Sequence, residues 1–520
     1  MTIKITKKYL VFPVNRLATK KRLVFKNNNK SVYELDIHMD SINPDFWAHV
    51  DVSRFIGKDL ELEITPFMDI TFNESNEMEI PGAYTETYRP YIHFTPKNGW
   101  INDPNGLIYL NGTYHMFYQY NPCLPGWANM HWGHATSSDL IHWEEQPIAL
   151  FPDESGQMYS GSAIYDADNL TGLAKDGHAA GLLFYTATAK FDQRLAYSTD
   201  NFNTITKCDT PVISNIVFKN RDPKVVYSSE LKAYVAIIYL EEDEYAIFRS
   251  NNLLDWEMIQ KTKLVGDNEC PDLFPIVDNL GNRKWVLMGA RNKYAIGDMT
   301  EEGFITTQET QTLYYGKTAY AGQSFSGFSD NRVVRVDWMR SFIRTERFMG
   351  QMAIPYDLTL EYIDGKHYLA ANPIKELENI YLNTDIYSNV ELAQNENNKF
   401  ILSQNPYCIK IKMQKSEPNN NLSFVIFGRN FSVNMKENTF SIEKNSIPLS
   451  ITNNNIDITL IIDKLSTEVY LNGGKIYSSY MEESIMPDYN LAHMEIKSDQ
   501  NCTLDNLEIH SLDSIWRTKQ

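Results

Sequence analysis

Cysteine is scarce and unpatterned in this chain. The five copies, Cys123, Cys208, Cys270, Cys408 and Cys502, are odd in number, far apart and without metal-type spacing. That excludes a disulfide-framed module and a Cys-based metal site, and it points to free thiols in a reducing compartment. Long apolar runs are missing too, and none approaches the roughly 20 residues of a membrane-spanning helix. The opening Met1–Lys8 leads into no sustained apolar segment or small-residue cleavage site. A cytoplasmic protein is therefore expected. Positive charge is in deficit, with a formal net charge of -18. Such a surface repels polyphosphates and anionic headgroups, so neither nucleic acid nor membrane is an expected partner, whereas a neutral small molecule or oligosaccharide is compatible. No cofactor motif or metal cluster is visible, and no cofactor is expected.

What the chain does have is length and rings. At 520 residues it exceeds one typical core, so two or three domains are expected. Aromatics reach 12%, including 31 Tyr and 9 Trp, a composition that suits strands and also offers flat apolar faces to sugar rings.

Residues 1–75 read as a small β-sandwich. Its short strands are Tyr9–Phe12, Arg22–Phe25, Val32–Ile37 and Leu60–Ile64, several of them alternating apolar with polar and punctuated by Asn27–Lys30 and Gly57-Lys58. The acidic, turn-rich stretch from Asn73 through Pro81-Gly82 opens a linker, taken as 76–92. From 93 to 354 strand-like runs follow one another with little helical periodicity. A weak repeat, Ala135–Trp143, Ala196–Phe202 and Phe248–Trp256, recurs every fifty to sixty residues or so. That spacing suits one four-stranded propeller blade each, against a plain alternative of coincidence among aromatic-rich strands. Residues 355–520 set strands such as Leu422–Phe427 and Ile456–Ile462 among Asn- and Ser-rich turns. Their alternation fades toward the end of each run, as in a second sandwich with one face buried and the other partly so.

One stretch organises the rest: Trp100-Ile101-Asn102-Asp103-Pro104-Asn105-Gly106, followed closely by Gln119 and Trp127. Asp-Pro-Asn-Gly alone is a turn, since Pro104 fixes φ and Asn105-Gly106 tolerates positive φ. Its aromatic and amide neighbours favour a carboxylate held rigidly in a pocket. Further along come Tyr159-Ser160-Gly161-Ser162, Arg221-Asp222-Pro223, Glu269-Cys270-Pro271 and Tyr320-Ala321-Gly322-Gln323-Ser324-Phe325. Alone, Glu269 reads as a solvated loop glutamate and Arg221 as a surface ion-pair partner.

The ordered set resembles glycoside hydrolase family 32, the invertases, levanases and inulinases, with Ile101 where Met is usual and Tyr159 where Phe or Trp is usual. The resemblance runs from about His93 to the C-terminus, where Asp463 through Gly474 is similar to the family's sandwich signature. It implies an all-β fold, a five-bladed β-propeller followed by a β-sandwich, with the 1–75 unit as an addition. It also implies a retaining, exo-acting β-fructofuranosidase. In it Asp103 is the nucleophile, Glu269 the general acid and then base, and Asp222 a third acid that binds sugar hydroxyls. Retention places the two reacting carboxyls about 5 to 5.5 Å apart, and a general acid working near neutral pH needs a raised pKa, expected at Glu269 from burial and from Asp103 and Asp222. Cys270 is expected to add apolar cover. Asn102, Gln119, Ser160 and Arg221 match positions that bind the fructose unit or orient a carboxylate. Trp100, Trp127 and Tyr159 match its apolar wall, and Tyr320 and Trp338 are assigned to the far rim. Fructosyl transfer on the same fold and a non-catalytic carbohydrate-binding propeller are the alternatives.

Overall fold

The structure, a computed structural model, describes residues 1–68, 72–78, 80, 82–328, 331–341, 347–414, 420–449, 455–481 and 486–516. Strands take up 57% of the residues and helices 2%, so the chain is all-β.

The first unit is two-layered. Thr2–Lys4, Asp59–Thr65, Lys20–Asn27 and Lys30–His38 form one sheet in that order, and Phe46–Asp51, Tyr9–Val14 and Asn73–Ser75 form the other. Alternation along Lys30–His38 sends Tyr33, Leu35 and Ile37 inward, where they meet Leu10, Phe12 and Val14 in one core. The last strand, Asn73–Ser75, occupies the place where the outgoing linker was expected to begin, because its backbone pairs with Tyr9–Val11. Much of the following stretch is packed as well: Tyr84 stacks on Trp516 at 4.4 Å, and buried Arg89 donates to the Pro96 carbonyl at 2.7 Å. Glu79 and Pro81 lie outside the described residues.

Five sheets then follow one another, each begun by its innermost strand: Gly99–Leu110, Met158–Asp166, Arg221–Ser228, Asp272–Val277 and Ala319–Ser324. These five strands touch in a closed cycle, first to second and onward until the fifth meets the first. Phe348–Met349 adds in parallel to Gly99–Leu110. The sequence repeat has a structural cause, since each copy ends the third strand of its sheet and turns the same way. Ser137, Ser198 and Ser250 direct their hydroxyls to Asp139, Asp200 and Asn252 two residues on.

The boundary expected after Ile354 falls inside the fifth sheet. Tyr356–Ile363 pairs with Val333–Arg335 and Lys366–Pro373 pairs with Tyr356–Ile363, so Pro355 merely precedes a strand. Two six-stranded sheets follow, from Tyr381 to Leu512, and enclose an apolar core. The fading alternation of Asn455–Ile462 has a plain reason. Ile458 and Leu460 point into that core, while Ile461 packs with Tyr470 and Tyr477 into the core shared with the central sheets.

The Asp463 signature is a fastening between these units. Asp463 accepts from the Tyr91 and Ile92 amides at 2.8 and 2.9 Å, and His93 lies between Asp463 and Glu468, at 2.8 Å from each. All three side chains are fully buried. Burial alone would lower the His93 pKa, but hydrogen bonds to Asp463 and Glu468 outweigh it and raise it to about 9. Since the folded pKa lies above the unfolded value of about 6.5, this contribution to stability is complete below that pH and fades as pH rises through 9. His93→Gln is therefore expected to lower the unfolding transition most at pH 6, with a deficit that shrinks toward pH 9. A deficit independent of pH would contradict an imidazolium at this position.

Candidate active site

The innermost strands are irregular where they begin, and those irregularities form the site. The first strand pairs Ile101 with Tyr120 and then Pro104 with Tyr118, so Asn102 and Asp103 bulge out opposite Gln119. Similar shifts free Ser160, between Tyr159 and Gly161, and Asp222, between Arg221 and Lys224. A fourth lies between Tyr320 and Gln323. A bulge turns a side chain that would lie on a sheet face toward the strand end, and four neighbouring bulges converge there. Glu269 comes from the loop before the fourth sheet. That loop is held by buried Asp267, which accepts from the amides of Asn268, Arg291 and Lys293 at 2.8 to 2.9 Å. Asp222, Glu269 and Cys270 all have positive φ, of 64°, 55° and 34°. Backbone strain of this kind persists where surrounding contacts enforce it, and it concentrates at functional sites.

The resulting pocket has a volume of about 320 Å³ and gathers Asp103, Asp222 and Glu269 with Asn102, Gln119, Trp127, Tyr159, Ser160, Arg221, Tyr320 and Trp338. Asp103 accepts from Ser160 Oγ at 2.6 Å and from Asn102 Nδ2 at 2.9 Å. Trp100 does not line the pocket. Its indole donates to Asn102 Oδ1 at 2.8 Å and its ring packs on Trp338, so it orients Asn102 from behind. Gln119 directs its amide nitrogen to the Met158 carbonyl at 2.9 Å.

Burial raises the Asp103 pKa, with the hydrogen bonds from Ser160 and Asn102 working against it and Glu269 adding to it. Asp222 is pushed up to about 7, first by burial and then by Asp103 and Glu269, against Arg221. Glu269 differs from its expectation in surroundings. Its side chain is 30% exposed against 7% for Asp222, and it pairs with Arg221 while receiving the Tyr320 hydroxyl. Arg221 thus bridges two acids, being 3.6 Å from Asp222 as well. Cys270 also acts differently from expectation. Instead of covering Glu269, it gives its amide to Asp222 at 3.1 Å and sets its sulfur 3.5 Å from both Asp103 and Asp222.

Further along the same strands lies a buried ion-pair network. Lys224 lies 3.1 Å from Asp272, Arg335 lies 2.6 Å from it, and Ser324 donates its amide to it at 2.8 Å. A larger cleft of about 570 Å³ lies between the first unit and the first two sheets, but its carboxylates, Asp51 and Asp153, are not set against a third acid. Asp153 is instead paired with Lys207.

A model described as the glycosyl hydrolases family 32 N-terminal domain matches residues 93–373, more than half of the chain. The chain belongs to glycosyl hydrolase family 32. Like its family it is a glycoside hydrolase, which sets aside the non-catalytic binding alternative. A levanase of Bacillus subtilis (strain 168) is 30% identical over 491 residues, covering 84% of this chain and 72% of that protein. An extracellular exo-inulinase of Aspergillus niger is 30% identical over 522 residues, covering 83% and 96%. Among solved structures, exo-inulinase from Aspergillus awamori superposes with a TM-score of 0.75 at 24% identity, over 83% of this chain and all of that one. The β-fructofuranosidase of Schwanniomyces occidentalis, complexed with fructosyl-erythritol, gives 0.74 at 23% identity, over 84% and 100%.

In this family 32 chain the pocket also contains residues that sequence motifs did not indicate: Met130, Phe191 and Lys219. They sit on loops between strands, where no fixed spacing ties them to a carboxylate. The loop bearing Trp127 is fastened to the first unit. Cys123 and Leu124 pack into that unit's core, and Asn129 exchanges 2.7 Å hydrogen bonds with the backbone of Asp36 on the edge strand Lys30–His38. The N-terminal addition therefore braces one wall of the pocket.

Proposed function

We propose that this family 32 hydrolase is a retaining, exo-acting β-fructofuranosidase that removes terminal fructose from sucrose, fructo-oligosaccharides or fructan ends. One observation carries the proposal: two carboxyls in different surroundings, Asp103 and Glu269, share a pocket with a third acid, Asp222. Asp103, anchored by Ser160 and Asn102, is the nucleophile that takes the anomeric carbon. Glu269, at the more open edge and beside Tyr320, gives a proton to the departing oxygen and then removes one from the attacking water. Asp222 and Arg221 take sugar hydroxyls. The relatives named levanase and exo-inulinase support a fructoside as substrate. The closed cycle of five inner strands supports a five-bladed propeller whose mouth is the pocket.

Lys224, two residues past Asp222, pairs with Asp272, which also pairs with Arg335, and all three are buried; this supports a pocket closed at its inner end and hence exo cleavage. Product chromatography on a short inulin-type oligosaccharide is expected to show fructose as the first and dominant product. Early internal fragments would contradict exo cleavage. The five free thiols support placement in the cytoplasm. Activity found in medium around unlysed cells would contradict that placement.

A further inference from the structure

An unbroken line of aromatic rings runs outward from the pocket. Trp127 and Tyr159 lie 6.2 Å apart between centroids, Tyr159 and Phe191 6.1 Å, and Phe191 and Phe218 6.1 Å. The first three line the pocket, whereas Phe218 stands outside it and is 80% exposed. A single exposed phenylalanine is ordinary on a protein surface. This one is held in place from two sides.

Asn220, fully buried, accepts at its Oδ1 from the amides of Ile216 and Val217 at 2.7 and 3.1 Å, which fixes the loop that presents Phe218. Its Nδ2 donates to the Phe191 carbonyl at 3.1 Å, and Asn215 Nδ2 donates to the same carbonyl at 3.4 Å, so the two ring-bearing loops are tied together. Phe191 and Lys219 both take left-handed backbone, with φ of 52° and 66°. For a bulky side chain that conformation is costly and needs enforcement. Lys219 lines the pocket and also sets its ammonium 5.2 Å from the Phe218 ring centroid, so the rim is continuous with the pocket.

We propose that Phe191 and Phe218 form an outer saccharide platform on the leaving-group side of the bond cleaved. Phe191 faces the first departing unit and Phe218 the next one. This rests on the fructosidase proposal above and adds a preference to it: substrates of three or more sugar units gain a stacking contact that sucrose cannot reach. A ring carried on backbone that is already fixed pays less ordering cost when a sugar face settles on it.

The test compares native protein with Phe218→Ala on sucrose and on an inulin-type tetrasaccharide. The fold is not at risk, because the side chain is mostly in solvent. For the tetrasaccharide, KM is expected to rise about fivefold to tenfold with kcat nearly unchanged, while kcat/KM for sucrose stays within about twofold. Phe218→Trp is expected to restore the tetrasaccharide KM. Equal losses on both substrates, or none on either, would overturn the platform while leaving the fructosidase proposal standing. Native protein that cleaves neither substrate would overturn the fructosidase proposal and the platform with it.

Discussion

Asp103→Ala is expected to lower turnover of sucrose and short fructo-oligosaccharides by roughly 10⁵-fold, because in the proposed mechanism its carboxylate forms the covalent intermediate. Asp222 is held by the Cys270 amide and Arg221, and Glu269 by Arg221 and Tyr320, so neither replaces it. The loss is not a folding defect. Burial raises the Asp103 pKa, so its ionised form costs the folded state stability at neutral pH, and that cost is relieved only as pH falls through the folded pKa. Removing the carboxyl relieves that cost but deprives Ser160 and Asn102 of their acceptor, so the unfolding transition at pH 7 is expected to stay close to native. Steady-state kinetics and a thermal scan on one preparation check both halves. A variant within tenfold of native activity, or one that unfolds before assay, would remove the support for Asp103 as nucleophile.

Glu269→Ala is expected to separate substrates by their leaving groups. For sucrose the departing oxygen needs a proton, and losing the general acid costs roughly 10²-fold to 10⁴-fold. An aryl β-fructoside with an acidic phenol leaves unaided, so its first step persists in the variant and the fructosyl-enzyme accumulates for want of a base. Stopped-flow detection of the phenol should show a burst followed by a slow steady state. Equal loss on activated and natural substrates would assign the proton to another group, with Asp222, whose pKa reaches about 7, as the first to examine.

Much of the site was legible because its chemistry sits on short motifs. Asn102-Asp103, Arg221-Asp222 and Glu269-Cys270 each put their side chains into one pocket, together with Gln119, Trp127, Tyr159, Ser160, Tyr320 and Trp338. The place of Trp100 is set by the fold, because periodicity does not reveal a bulge. With Asn102 and Asp103 swung out opposite Gln119, Trp100 falls behind the wall and acts through Asn102. The ion pair between Arg221 and Glu269 joins residues 48 apart in sequence, a proximity that only the third and fourth sheets create. Phe191 and Phe218 carry no motif, and their relation depends on the side-chain amides of Asn215 and Asn220. At the scale of the fold, Tyr9–Val14 and Lys30–His38 announce themselves by composition or alternation, whereas Asn73–Ser75 is only three residues long and exists through its pairing with Tyr9–Val11. The misplaced boundary at Ile354 has a similar origin. A change of texture at a proline marks a strand start as readily as a domain end, and Tyr356–Pro373 completes the fifth sheet.

Double displacement at Asp103, with Glu269 as acid and base, leaves its mark in the stereochemistry of the product. Two inversions at the anomeric carbon leave the configuration unchanged. Time-resolved NMR of native protein acting on a short inulin-type oligosaccharide reads the released fructose before mutarotation blurs it. The account predicts β-fructose first, with the α form appearing only later, whereas α-fructose at the earliest times would contradict it.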